Sequence, residues 1–233
     1  MRWMLSAAAV LVGLPALAQQ NDAEKLFRSM EKQVREAKSI KLVFSVNGDF
    51  GKDNKLLTNG SIVVAEGNKA RVDLTAKKGD KELKVQLYSD GKVMGTLING
   101  KSGDKPMPAE PGVADVIPQI TARGGIFVFT ESDPEPAEKD KFDIDKYLPA
   151  SDFKLGKKVQ VNGQETQPVS CAIKPKKGPP LQMTVWLVTK TNLPLKRELT
   201  ATEKDFTLTV VENYREFSLN PKVDAKIFEV PKQ

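Results

Sequence analysis

The chain has 233 residues, an ordinary globular composition and a formal net charge of +6. It contains no histidine and one cysteine, which excludes Ser–His–Asp and Cys–His catalysis, His-rich metal sites, an internal disulfide and a multi-cysteine zinc cluster. The lysines are spread over many turns without an aromatic-interleaved basic cluster, which argues against nucleic acid as a partner. They keep a sheet soluble and blunt its edges, with attraction to anionic membrane surfaces as the functional alternative.

The N-terminus reads as a secretory signal. Arg2 supplies the positive region, Met4 to Leu14 is a short apolar stretch, and Ala16-Leu17-Ala18 is an A-x-A cleavage site. The expected organisation is a signal peptide over 1–18 and a single domain over 19–233, with no transmembrane segment in the mature chain. No cysteine stands directly after the cleavage site to be acylated, the one cysteine being Cys171 far downstream, so the expected product is a soluble protein in the periplasm, secreted through a cleaved signal peptide.

Asn21 or Asp22 can cap a helix, with Glu24 three residues after Asn21. Leu26, Phe27, Met30, Val34 and Ala37 then follow helical spacing to about Lys38. From Ile40 the period changes to two. Ile40, Leu42, Phe44 and Val46 alternate with Lys41, Val43, Ser45 and Asn47, and the alternation continues in Ile62/Val64, Val72/Leu74, Leu83/Val85/Leu87 and Val93/Leu97. Turn clusters at Gly51–Asn54, Glu66-Gly67-Asn68, Lys78-Gly79-Asp80 and Asp90-Gly91 separate the runs. Five such strands make an antiparallel sheet that is apolar on one side, and something must cover that side.

Beyond a Gly-, Lys- and Pro-rich loop from Asn99 to Gly112, the period changes again. Val113, Val116, Ile117 and Ile120 fall on one helical face, interrupted by Pro118 and flanked by Pro111-Gly112 and Gly124-Gly125. This is a greasy helix between glycine hinges, read either as a lid or as a static core helix. Ile126 to Thr130 reads as a short strand and Glu131 to Asp145 as an exposed acidic connection without the spacing of a calcium loop. Strand patterns return at Phe153/Leu155, Val159/Val161, Val169/Cys171/Ile173, Met183/Val185/Leu187, Leu193 onward and Phe206 to Phe217, with an Asn162-Gly163 hairpin signal. Cys171 lies in the apolar phase, which suits a small core residue rather than a nucleophile. The count is about ten or eleven strands.

Several segments, in order, resemble the LolA-like outer-membrane lipoprotein carriers and their LppX-type and RseB-type relatives. Ala23–Phe44 resembles the opening helix and first strand, Gly60–Val64 the second strand, and Leu87–Lys92 the "SDGK" hairpin. Lys157–Ile173 is similar to a later strand pair, Val185–Lys196 to the "lP.k" pattern, and Val223–Pro231 to the closing "D...F.f.P". The resemblance covers most of the mature chain. It implies a mainly β, α+β fold: an incomplete antiparallel β-barrel with an N-terminal helix and a lid helix over its apolar concave face. It also departs from the carriers. Where LolA-type members have an arginine in "K-R-P-N", this chain reads Ala65-Glu66-Gly67-Asn68, with the opposite charge at Glu66. Phe44-Ser45-Val46 replaces "F-T-Q", and Met94-Gly95 replaces the aromatic after "SDGK".

The function expected from the resemblance and the apolar face together is a soluble carrier of acylated lipoproteins or lipids toward the outer membrane. The residues expected to line its cavity are Leu42, Phe44, Ile62, Val64, Val72, Leu74, Leu83, Val85 and Leu87 on the sheet, with Val116, Ile117 and Ile120 on the lid. The partners implied are the acylated cargo and inner- and outer-membrane transfer proteins; the expected state is a monomer without cofactor, metal or catalytic residues. The alternative is an RseB-like protein-binding or sensor module that moves no lipid.

Overall fold

The computed structural model describes residues 14–51, 55–102, 107–109, 123, 144–175, 179–203 and 206–229. The chain opens with helix α1 (Leu14–Glu36), followed by strands β1 (Ser39–Asp49), β2 (Lys55–Ala65), β3 (Lys69–Lys78), β4 (Lys81–Asp90) and β5 (Val93–Ile98). Two-residue strands β6 (Lys101–Ser102) and β7 (Met107–Pro108) come next, then the short helix α2 (Ile144–Tyr147). The second half contains β8 (Ala150–Leu155), β9 (Val159–Val161), β10 (Gln164–Ile173), β11 (Leu181–Val188), β12 (Pro194–Glu203) and β13 (Phe206–Leu219), and a 3-10 turn at Ala225–Phe228.

All thirteen strands belong to one antiparallel sheet in the order β6-β5-β4-β3-β2-β1-β13-β12-β11-β10-β8, with β7 on β5 and β9 on β10. The two halves of the chain meet where β1 pairs with β13, so Leu42 lies opposite Phe217. A bulge between Val43 and Phe44 shifts the register there and brings Phe44 opposite Tyr214. β6 and β8 end the order without pairing with each other. The sheet is therefore an incomplete barrel, the fold that the resemblance implied. Among the described residues the strand count exceeds the expected ten or eleven because β6 and β7, at two residues each, are too short to show a period of two, while the expected strand at Ile126–Thr130 lies outside the described residues.

β1 alternates in burial along its length as its sequence requires, with Ile40, Leu42, Phe44 and Val46 inward. Turns fall where glycine and asparagine can take positive φ: Gly67 and Asn68 at +79° and +60°, and Asn162 and Gly163 at +49° and +76°. α1 begins at Leu14, so Asn21 and Asp22 lie within the helix rather than at its cap, and it ends at Glu36 rather than Lys38. Its apolar stripe of Ala23, Phe27, Met30 and Val34 is fully buried. The stripe packs mainly on β8 and β10; the Phe27 and Phe153 rings are 5.4 Å apart, and Asn192 Nδ2 donates to the Leu26 carbonyl. α1 thus covers the β8–β10 side of the barrel, far in strand order from β3–β5. The 3-10 turn packs on β3 and β4 and buries Phe228. No described helix is long and apolar enough to cross a membrane.

Candidate binding groove

The register assembles the sheet residues singled out from the sequence into cross-strand rows on one face. Leu42, Ile62, Val72 and Leu87 are successive partners across β1 to β4. Phe44, Gly60, Leu74 and Val85 form the next row, which continues to Ile98 on β5. Val64 stands between Ile40 and Ala70, and Leu83 ends the row Val46, Thr58, Ala76. All nine named sheet residues share the inner face. Val116, Ile117 and Ile120 lie outside the described residues.

Burial along these rows is graded. Leu42 and Phe44 have no exposed surface, and Ile62 and Val64 are buried. Val72, Leu74, Val85 and Leu87 are half-buried, and Leu83 is 44 % exposed. Ile98, the last apolar residue of the Phe44 row before Lys101 on β6, is 45 % exposed. The apolar face is thus closed at β1 and opens progressively toward β4 and β5. One expectation is corrected: Val93 and Leu97 occupy the outer face of β5, because Thr96 pairs with Leu87 and Leu97 with Gln86. Met94, Thr96 and Ile98 take the inner positions instead.

Gly60 shapes the floor of the groove. A Cβ there would lie 2.6 Å from Leu74 Cδ2, 2.7 Å from the Asp73 carbonyl oxygen and 3.0 Å from Phe44 Cζ. Only glycine lets the Phe44 ring and the Leu74 side chain close over this point. Polar groups in these rows are few. The Ser89 hydroxyl donates to the Asn68 carbonyl at 2.8 Å, and the Thr58 hydroxyl is buried with no hydrogen-bond partner among the described residues.

Two buried charge clusters were not singled out from the sequence. On the inner face, Glu212 and Arg197 are direct partners in the row that runs Val46, Glu212, Arg197, Val185, Val169. Both are fully buried; Arg197 Nη1 donates to Glu212 Oε2 at 3.3 Å, and the Tyr214 hydroxyl donates to the same oxygen. The signal was available: Arg197 stands in phase with Leu195 and Leu199, and Glu212 with Val210 and Tyr214. The second cluster centres on Arg123, also fully buried. Its Nε and Nη2 donate to the two oxygens of Glu31 at 2.7 and 3.0 Å, and its Nη1 to Asp145 Oδ1 and the Leu148 carbonyl, both at 2.8 Å. Arg28 adds contacts to Glu31 at 2.9 Å and Asp145 at 3.1 Å. Burial alone would raise the Asp145 carboxyl, but the hydrogen bond and field of Arg123, with Arg28 behind it, hold it below the ordinary range. This arginine joins α1 to α2; the positions matching the LolA-type arginine instead form the β2–β3 turn, where the Glu66 amide donates to the Lys38 carbonyl at 2.9 Å.

Cys171 is buried on β10, and burial pushes its thiol up to about 12, which suits a packing residue and not a nucleophile. Among the described residues no group of His, Cys, Asp or Glu could hold a metal ion.

No family model and no curated relative matches the chain. Among solved structures, LprF from Mycobacterium bovis superposes with a TM-score of 0.52 at 15% identity, over 88% of this chain and 96% of that one. The fold is shared with LprF. Weaker likenesses include the Mycobacterium tuberculosis lipoprotein LppX, with a TM-score of 0.44 at 10% identity over 91% of this chain and 97% of that one. A LolA superfamily protein from Nitrosomonas europaea gives 0.40 at 7% identity over 89% and 97%. At those scores the latter two add nothing to the fold assignment, which rests on LprF and on the strand order itself.

Proposed function

We propose that this chain is a periplasmic, non-catalytic carrier that holds the acyl chains of lipoproteins or lipids against the inner face of β1–β5, for transfer toward the outer membrane. The observation that carries this reading is the graded apolar face. Its floor at Leu42 and Phe44 is dry, while Leu74, Val85, Leu87 and Leu83 retain surface that an acyl chain would cover. Each methylene buried contributes about 0.8 kcal/mol, so a chain of about sixteen carbons gains on the order of 10 kcal/mol if fully covered. A face that opens toward β4 and β5 gives part of that, which is what a carrier needs to load and then release. Among the described residues β6 and β8 do not pair, so the sheet lacks the hydrogen-bonded closure that would shut a full barrel.

The test is native mass spectrometry of protein purified from its host, before and after organic extraction, with a fluorescent fatty acid titrated into the extracted protein. A lipid-sized adduct that disappears on extraction, and saturable uptake that Val85→Asp weakens tenfold or more, are expected. Absence of both adduct and uptake overturns the reading.

A further inference from the structure

The end of the sheet at the β3–β4 turn combines features that do not suit water alone. Leu83 and Ile98 stand on the inner face of adjacent strands, each more than two-fifths exposed. Around them lie Lys78, Lys81, Lys84 and Lys101, all exposed. Lys78 and Lys81 are direct cross-strand partners across the two-residue turn Gly79-Asp80. Like charges placed opposite each other repel, and among the described residues neither lysine has an ion pair; the carboxylate of Glu82 is engaged instead by Lys77 and Lys84. The arrangement is held in place rather than dangling. The Asn99 amide donates to the Lys84 carbonyl at 2.8 Å, and the Asn99 side-chain oxygen accepts from the Lys84 amide at 2.9 Å. This fastens the β5–β6 turn, and with it Ile98 and Lys101, to β4.

We propose that this end of the sheet docks on an anionic bilayer surface, with Leu83 and Ile98 entering the interface and Lys78, Lys81, Lys84 and Lys101 meeting lipid phosphates. The opposed, unneutralised pair Lys78/Lys81 supplies the charge complementarity, and the apolar pair beside it selects a bilayer over a merely acidic surface. Leu83 ends the row that begins at Val46, and Ile98 is the last apolar residue of the row that begins at Phe44, which closes with Lys101 on β6, so the docked end is the open end of the groove. The inference goes beyond the carrier reading and stands or falls separately from it.

The experiment is sedimentation of the full chain with vesicles of phosphatidylcholine alone and of phosphatidylcholine carrying about 30 mol % phosphatidylglycerol, at low and high salt. Binding to the anionic vesicles only, weakened by salt, is expected. Lys78→Glu/Lys81→Glu and Leu83→Asp/Ile98→Asp should each lose about tenfold or more in apparent affinity, with circular dichroism unchanged. The matched charge reversal Lys154→Glu/Lys157→Glu, at β8 and the loop after it, should bind as the parent does. The proposal is overturned by equal binding to both vesicle types, by no binding to either, by parental binding of the Lys78/Lys81 variant, or by binding that appears only when a membrane protein is added. Fatty-acid uptake by the parent chain separates the two readings: uptake without vesicle binding removes this one alone, and vesicle binding without uptake removes only the carrier.

Discussion

Arg197 and Glu212 face each other across β12 and β13 in the middle of the barrel wall, and neither side chain has exposed surface. Tyr214 donates to the same carboxylate, and its phenol is pushed well above its ordinary range, first by burial. Removing one partner of such a pair strands a buried charge, at a cost of about 3–5 kcal/mol. Arg197→Met and Glu212→Leu should each lower the unfolding free energy by that amount, read from urea denaturation as a lower midpoint. The triple change Arg197→Met/Glu212→Leu/Tyr214→Phe should recover most of it, because the stranded charge and hydroxyl are then gone. A triple variant as unstable as the singles would show that the cluster stabilises the fold beyond its own pairing.

Asp145 makes the Arg123 cluster sensitive to acid. Its carboxyl is held below its ordinary value in the folded state, so it contributes stability that is present above about pH 4, the unfolded value, and lost as pH falls through the lower folded value. Thermal unfolding followed from about pH 6 down to about pH 2 should therefore show a melting temperature that falls less steeply in Asp145→Asn than in the parent. Because the Asp145 side chain is half exposed, the difference should also shrink at high salt. Parallel curves would show that Asp145 adds nothing to the anchoring of Arg123 by Glu31 and the Leu148 carbonyl.

Gly60→Ala tests the floor of the groove. The added methyl meets a backbone carbonyl as well as Leu74 and Phe44, so the strands or the ring must shift. Overpacking of this kind costs about 1–3 kcal/mol. Denaturation should show that loss, and fatty-acid uptake should weaken with it, since Phe44 is displaced into the groove. Unchanged stability would mean that β2 and β3 separate without cost.

Cys171 should be silent toward thiol reagents. With its thiol pushed up to about 12 and no exposed path to it, alkylation of the native protein at about pH 8 should be negligible over hours, and rapid once denaturant is added. Prompt labelling of the native chain would indicate that β10 opens locally.

The period of two in β1 to β4 was legible because each strand declares its apolar phase locally: Ile40, Leu42, Phe44 and Val46 turn inward whatever lies beside them. The helical stripe of α1 and the Asn162-Gly163 turn were legible for the same reason. β5 was not, because Met94 and Ile98 compete with Val93 and Leu97 for the inner phase, and only pairing with β4 decides between them. The start of α1 was obscured by a capping pattern at Asn21 that the preceding residues override by continuing the helix.

The sequence by itself determined an antiparallel, mainly β domain with one apolar face, without histidine chemistry, because alternation and composition are local properties. Only the tertiary structure decided how those residues line up across the strands, which phase β5 turns inward, where the face opens, and which charges it buries. The pairing of β1 with β13 joins positions near opposite ends of the chain, and the ion pairs of Arg123 with Glu31 and of Arg197 with Glu212 exist only once distant segments meet. A charged residue in an apolar phase can be read from the chain; its partner is settled by the register that places the two side by side.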